Sequence, residues 1–231
     1  MSYLKRFISL RPVAKYMFGL MIWLGLLLIL PINEAKAQQN DAQENKTQSQ
    51  TLVLLGDSLV AGYGLPKADS FAAQLQTALT KANRQVQIIN AGVSGDTSAG
   101  GAARFGWSVP ARVDAIMIAL GGNDLLRGLP PAIMQANLES IIMRAKARQI
   151  KILLVGQRAP PNMGADYMRR FNRVFPYLAE KHELLLYPFF LEHVAGNQAL
   201  NQADGIHPNK QGVAVMVEHI LPFIFDLLDS D

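Results

Sequence analysis

Cysteine is absent from all 231 residues, so the chain can form no disulfide and has no thiolate to bind a metal or attack a substrate. His-Glu-x-x-His, Walker A and G-x-G-x-x-G patterns are also missing, which removes the local case for a metal centre and weakens a nucleotide-binding one. Neither metal nor cofactor is therefore expected. Excess charge is scarce as well. Residues 1–37 hold five basic side chains and one acidic, which accounts for the whole net charge of +4, while residues 38–231 balance at 17 of each sign. A basic surface for a nucleic-acid backbone is excluded by that distribution, although the pI is near 9.4.

Uncharged apolar runs are short, and the longest lies near the amino terminus. Lys5, Arg6, Arg11 and Lys15 precede the stretch from Met17 to Leu30, and Ala35-Lys36-Ala37 follows Pro31. This is the order of a secretory signal peptide with cleavage after Ala37. The run is shorter than the roughly 20 residues of a membrane-spanning helix, so residues 1–37 are read as a signal peptide and the body as periplasmic or secreted; an uncleaved anchor is the alternative. Residues 38–50 are polar and cannot repay their ordering entropy by burial, which makes them a flexible tether. The folded body then spans residues 51–231.

In the body, short apolar runs alternate with segments of helical period. Thr51–Leu55, Val86–Ile89, Ala115–Leu120, Ile150–Val155 and Leu184–Tyr187 read as buried strands. Leu138, Ile141, Ile142 and Ala145 form a helical stripe, as do Phe171, Val174, Phe175 and Leu178, with Pro176 expected to bend or interrupt that second helix. A last stripe through Val213, Met216, Val217, Ile220 and Leu221 has Asn209 as a plausible N-cap and Pro222 as an expected break. Continuous apolar strands separated by helices predict a five-stranded parallel sheet covered on both faces, with the ligand site beyond the strands' carboxyl ends.

Four loops at those ends carry the informative residues: Gly56-Asp57-Ser58-Leu59, Asn90 to Thr97, Gly121-Gly122-Asn123-Asp124, and Asp204-Gly205-Ile206-His207-Pro208. A serine alcohol needs an imidazole to take its proton, and the imidazole needs a carboxylate to fix its tautomer. Asp204 and His207, three apart, can meet locally. The developing oxyanion needs fixed donors, for which the N–H groups of Ser58 and Gly95 and the Asn123 carboxamide are the candidates. Singly, each residue is an ordinary turn former or cap; their joint occurrence at strand ends is what needs explaining. Asp57 is assigned to loop geometry, Asp96 or Thr97 to capping, His182, His193 and His219 to solvated or structural positions, and Arg169, Arg170 and Arg173 to a charged helix face.

These blocks resemble the SGNH (GDSL) hydrolase family, and within it the periplasmic multifunctional lysophospholipase, arylesterase and acyl-CoA thioesterase branch. The resemblance covers Thr51 to the carboxyl terminus. It implies a flavodoxin-like three-layer α/β/α sandwich, with Ser58 as nucleophile, Asp204 and His207 completing the triad, and Ser58, Gly95 and Asn123 forming the oxyanion hole. The expected reaction is hydrolysis of lysophospholipid, fatty acyl ester or thioester bonds through an acyl-enzyme. A carbohydrate O-acetylesterase is the runner-up, and a non-catalytic binding protein a further alternative. Substrate contacts are expected from Pro160 and Asn162, with an acyl groove around Phe105–Val109 and Pro160–Tyr167. The expected partner is a small lipid or ester, with membrane met only transiently, for a monomer.

Overall fold

The computed structural model describes residues 49–230. The expected signal peptide lies outside the described residues, as does the tether up to residue 48; Gln50, at the tether's end, already belongs to the first strand. Five strands, β1 (Gln50–Gly56), β2 (Val86–Gly92), β3 (Ala115–Ala119), β4 (Lys151–Val155) and β5 (Leu185–Tyr187), pair in parallel in the order β2-β1-β3-β4-β5. Seven helices accompany them among the described residues: α1 (Ser58–Ala61), α2 (Phe71–Lys81), α3 (Ser98–Ser108), α4 (Gly122–Leu126), α5 (Pro131–Lys146), α6 (Ala165–His182) and α7 (Lys210–Asp229).

The alternation of side chains along β1 makes the three layers. Leu52 and Leu54 point into a core filled by Phe71 and Leu75 of α2 and by Val213, Met216 and Ile220 of α7. Val53 and Leu55 point the other way, into a core with Phe105 of α3, Leu138 and Ile142 of α5, and Phe171 and Phe175 of α6. Leu52, Val53, Leu54 and Leu55 are all fully buried, each stabilising the fold by about 1.5–3 kcal/mol. This is the flavodoxin-like sandwich with its strand order reversing between β1 and β3.

Neither proline breaks its helix. α6 runs unbroken through Pro176 and α7 through Pro222, and both prolines face solvent. The carbonyl each one leaves without an N–H partner can bond water there, while the buried stripe on the opposite face holds the helix to the sheet. Asn209 caps α7 as expected, accepting from Gly212 N at 3.0 Å.

The sheet's β2 border is closed by a side chain. Gln76 of α2 donates from Nε2 to Val86 O at 2.9 Å and accepts Ile88 N at 3.1 Å, using the peptide groups that a further strand would use.

Candidate active site

The first three strands end level, with Gly56 in register with both Gly92 and Ala119. Glycine is required at this edge because α1 lies directly on it: a Cβ on Gly56 would come 2.3 Å from Val60, and one on Gly92 2.3 Å from Ala61 N. α1 is a single turn. Asp57 starts it by accepting Leu59 N at 3.0 Å, and Gly62, in the left-handed conformation at φ +82°, ends it. Ser58 thus stands at the helix start, at the point where the strand order reverses.

His207 reaches Ser58 across 149 residues of sequence: its Nε2 lies 2.9 Å from Ser58 Oγ, and its Nδ1 lies 2.7 Å from Asp204 Oδ2. With the proton on Nδ1, the ring donates to Asp204 and leaves Nε2 to accept from the serine. The other carboxylate oxygen, Oδ1, accepts the N–H groups of Ile206 and His207, each at 3.0 Å. These backbone bonds and the imidazole hold the Asp204 carboxyl down to about 2 from an ordinary 3.8. The Tyr63 ring packs against His207 at 4.6 Å between centroids. Beside the serine, a recess is lined by Leu59, Gly62, Tyr63, Leu65, Pro208 and Val213.

Of the three expected oxyanion donors, the Ser58 N–H starts α1, and no hydrogen bond from it or from the Gly95 N–H is found among the described residues. Gly95 has φ +82°, and its carbonyl accepts Arg127 Nη2 at 2.7 Å. Asn123 is the second residue of α4, with its Nδ2 3.5 Å from Asp57 Oδ2. Asp57 therefore does more than shape a loop. It is 2% exposed, and burial pushes its carboxyl from 3.8 up to about 6.

Beneath these donors lies a polar floor that sequence reasoning missed. Arg104 of α3 is buried and donates to Asp96 Oδ2 at 2.6 Å, Gly56 O at 2.9 Å and Ser108 Oγ at 3.1 Å. It ties the end of β1 to the loop carrying Gly95. Buried Asp124, next to Asn123, accepts Ser98 N at 2.7 Å and Ser98 Oγ at 2.6 Å, and Asn137 donates to the same hydroxyl at 3.0 Å. Thr97, not Asp96, caps α3. One signal was available in the sequence: Arg104 is the lone charge in a helix otherwise made of small and apolar residues.

Other expectations fare unevenly. Phe105 and Val109 are buried in the core under α3, with Arg144 stacked on the Phe105 ring at 4.6 Å, so neither side chain lines a groove. Pro160 and Asn162 are exposed in the loop after β4 and are not among the residues lining the recess beside Ser58. His182 is structural, 2.8 Å from Glu139, whereas His193 and His219 are exposed with their rings 4.3 Å apart. Arg169 and Arg170 pair with Asp166 on their own helix.

An alcohol, an imidazole and a carboxylate bonded in series at the reversal point of a parallel sheet define a serine hydrolase. The chain belongs to the GDSL-like lipase/acylhydrolase family, whose model matches residues 54–215. It is 42% identical over 181 residues to esterase TesA of Pseudomonas aeruginosa, covering 78% of this chain and 90% of that one. The TesA crystal structure superposes with a TM-score of 0.74, over 78% of this chain and all of TesA. Thioesterase 1/protease 1/lysophospholipase L1 of Escherichia coli K12 is 34% identical over 186 residues, 78% of this chain and 86% of that one. AlinE4, an SGNH-hydrolase family esterase, is 46% identical with a TM-score of 0.66, covering 79% of this chain and 98% of AlinE4.

Proposed function

We propose that this esterase is exported and cleaves lysophospholipids, fatty acyl esters or thioesters through a covalent acyl-serine. The observation that carries the mechanism is the His207 ring bonded to Ser58 on one nitrogen and Asp204 on the other. In the first half-reaction Ser58 Oγ attacks the acyl carbonyl carbon while its proton passes to His207 Nε2, and Asp204 stabilises the imidazolium. The Ser58 and Gly95 N–H groups and Asn123 Nδ2 take the developing oxyanion. Collapse of the tetrahedral species breaks the bond to the alcohol or thiol, which leaves with the proton from His207. Water, deprotonated by the same ring, then releases the acid and regenerates Ser58.

The name of the lysophospholipase relative supports a fatty acyl group. Export is supported by the signal-like order of residues 1–37. A fluorophosphonate probe tests the chemistry: a covalent adduct is expected at Ser58 and none in Ser58→Ala, and a folded wild-type protein that takes no label would defeat it. p-Nitrophenyl esters from acetate to palmitate test the substrate class, with activity confined to acetate pointing to the carbohydrate O-acetylesterase instead.

A further inference from the structure

Large exposed apolar side chains cluster at the mouth of this site. Tyr63, Val93, Leu126 and Ile206 are each between 42% and 65% exposed. They come from the segments following β1, β2 and β3 and from the loop that carries His207, all of which end at the carboxyl edge of the sheet. Those segments are fastened together there. Gln202 Nε2 donates to Tyr63 O at 2.8 Å, Arg127 to Gly95 O at 2.7 Å, and His207 meets Ser58 at 2.9 Å. Single exposed apolar residues need no explanation, but four around one opening mark an interaction surface.

Charge is divided the same way. Residues 38–231 are neutral in sum, yet at this edge most carboxylates are buried or paired with a cation. Asp57 and Asp124 are buried, Asp96 pairs with Arg104, Asp69 with Lys210, and Asp166 with Arg169 and Arg170, which leaves Asp204, bonded to His207, and the part-exposed Glu192 as the anions there without a Lys or Arg partner among the described residues. Lys67, Arg127 and Arg158 are exposed cations in the segments after β1, β3 and β4, at the same edge of the sheet, and none has a carboxylate at ion-pair distance among the described residues. Apolar side chains interleaved with unpaired cations complement an anionic lipid interface, where each Lys or Arg near the surface adds about 1 kcal/mol of attraction.

We infer that the rim formed by Tyr63, Val93, Leu126 and Ile206 docks on anionic lipid surfaces, its aliphatic groups entering the headgroup boundary while Lys67, Arg127 and Arg158 meet the phosphates. Ser58 then opens toward the aggregate. The purpose of docking rests on the proposed action on lipid esters; the docking itself does not.

The absence of cysteine permits a site-resolved test on the full chain. Ile206→Cys, Leu126→Cys and Met143→Cys are each labelled with a nitrobenzoxadiazole fluorophore. Met143 is exposed in the last turn of α5, toward the opposite end of the sheet, and serves as the control. With phosphatidylcholine vesicles containing phosphatidylglycerol, emission is expected to shift blue at 206 and 126, to revert with salt, and to stay unchanged at 143. A retained leader would bring all three labels near the bilayer alike, so the difference between sites is the readout. No shift at 206 and 126, an equal shift at all three, or an equal response on pure phosphatidylcholine overturns the inference.

A second variant, Lys67→Glu/Arg158→Glu, is expected to hydrolyse lysophospholipid carried in the anionic vesicles about tenfold or more slowly, with turnover of soluble p-nitrophenyl acetate unchanged. Equal losses on both substrates overturn it. The fluorophore readout needs no turnover, so a protein that docks but cleaves nothing would count against the proposed function and not against the docking.

Discussion

The loop that carries the base and the floor that carries the nucleophile are built by opposite means. Asp204 and His207 are three residues apart, and their loop is held largely by its own short bonds, which also keep the carboxylate ionised down to about pH 2. Under Ser58 the polar groups are buried and fastened over long separations, Arg104 to Gly56 across 48 residues and Ser98 to Asp124 across 26. Chemistry is lodged in the local module and rigidity in the distributed one. A second imidazole–carboxylate pair, His182 with Glu139 at 2.8 Å, has no serine bonded to the far side of its ring among the described residues and links two helices instead. The carboxylate–imidazole bond alone therefore defines nothing.

Substitutions should separate the two regions. Asp204→Asn removes the acceptor that fixes the His207 tautomer and is expected to lower kcat by about 10⁴-fold while leaving the melting temperature close to wild type; a large loss of stability would mean the loop is also structural. Arg104→Ala leaves the half-buried Asp96 without its partner and the Gly56 carbonyl without its donor, and is expected to destabilise the fold by about 3 kcal/mol, measured by urea denaturation, with part recovered in Arg104→Ala/Asp96→Asn. Wild-type stability in the single variant would sever the floor from the fold.

Asp57 sharpens the contrast through pH. Its folded carboxyl titrates at about 6 instead of 3.8, so the unfolded chain gives up the proton first, and stability falls as pH rises between those values and stays reduced above them. Asp57→Asn can still cap α1 and is expected to be more stable than wild type at pH 8 by up to about 3 kcal/mol. That advantage vanishes below pH 4. A gap of the same size at both pH values would rule out ionisation as its source. The smallest expected effect is that of Asn123→Ala, which should lower kcat by about 10²-fold through loss of one oxyanion donor; a change confined to KM would make Asn123 a binding residue only.

The same division governs what was legible in the sequence. Five strands and the helical stripes could be read because burial on both sheet faces leaves continuous apolar runs and a 3.6-residue period. Asp204 and His207 could be proposed as a pair because a loop of three residues brings them together by itself. The buried role of Asp57 and the bonds of Arg104 and Asp124 could not be read, since each depends on which strands become neighbours. Pro176 and Pro222 misled because the penalty of a proline depends on which face of the helix it occupies, and here both face water. Phe105 was read as groove and is core for the same reason.

Gln76 carries a consequence for the molecule in company. By answering the amide of residue 88 and the carbonyl of residue 86, its carboxamide acts as a permanent stand-in for a sixth strand. Two peptide groups of that flank are thereby already engaged, and a strand from another copy of the protein must displace Gln76 before it can pair there.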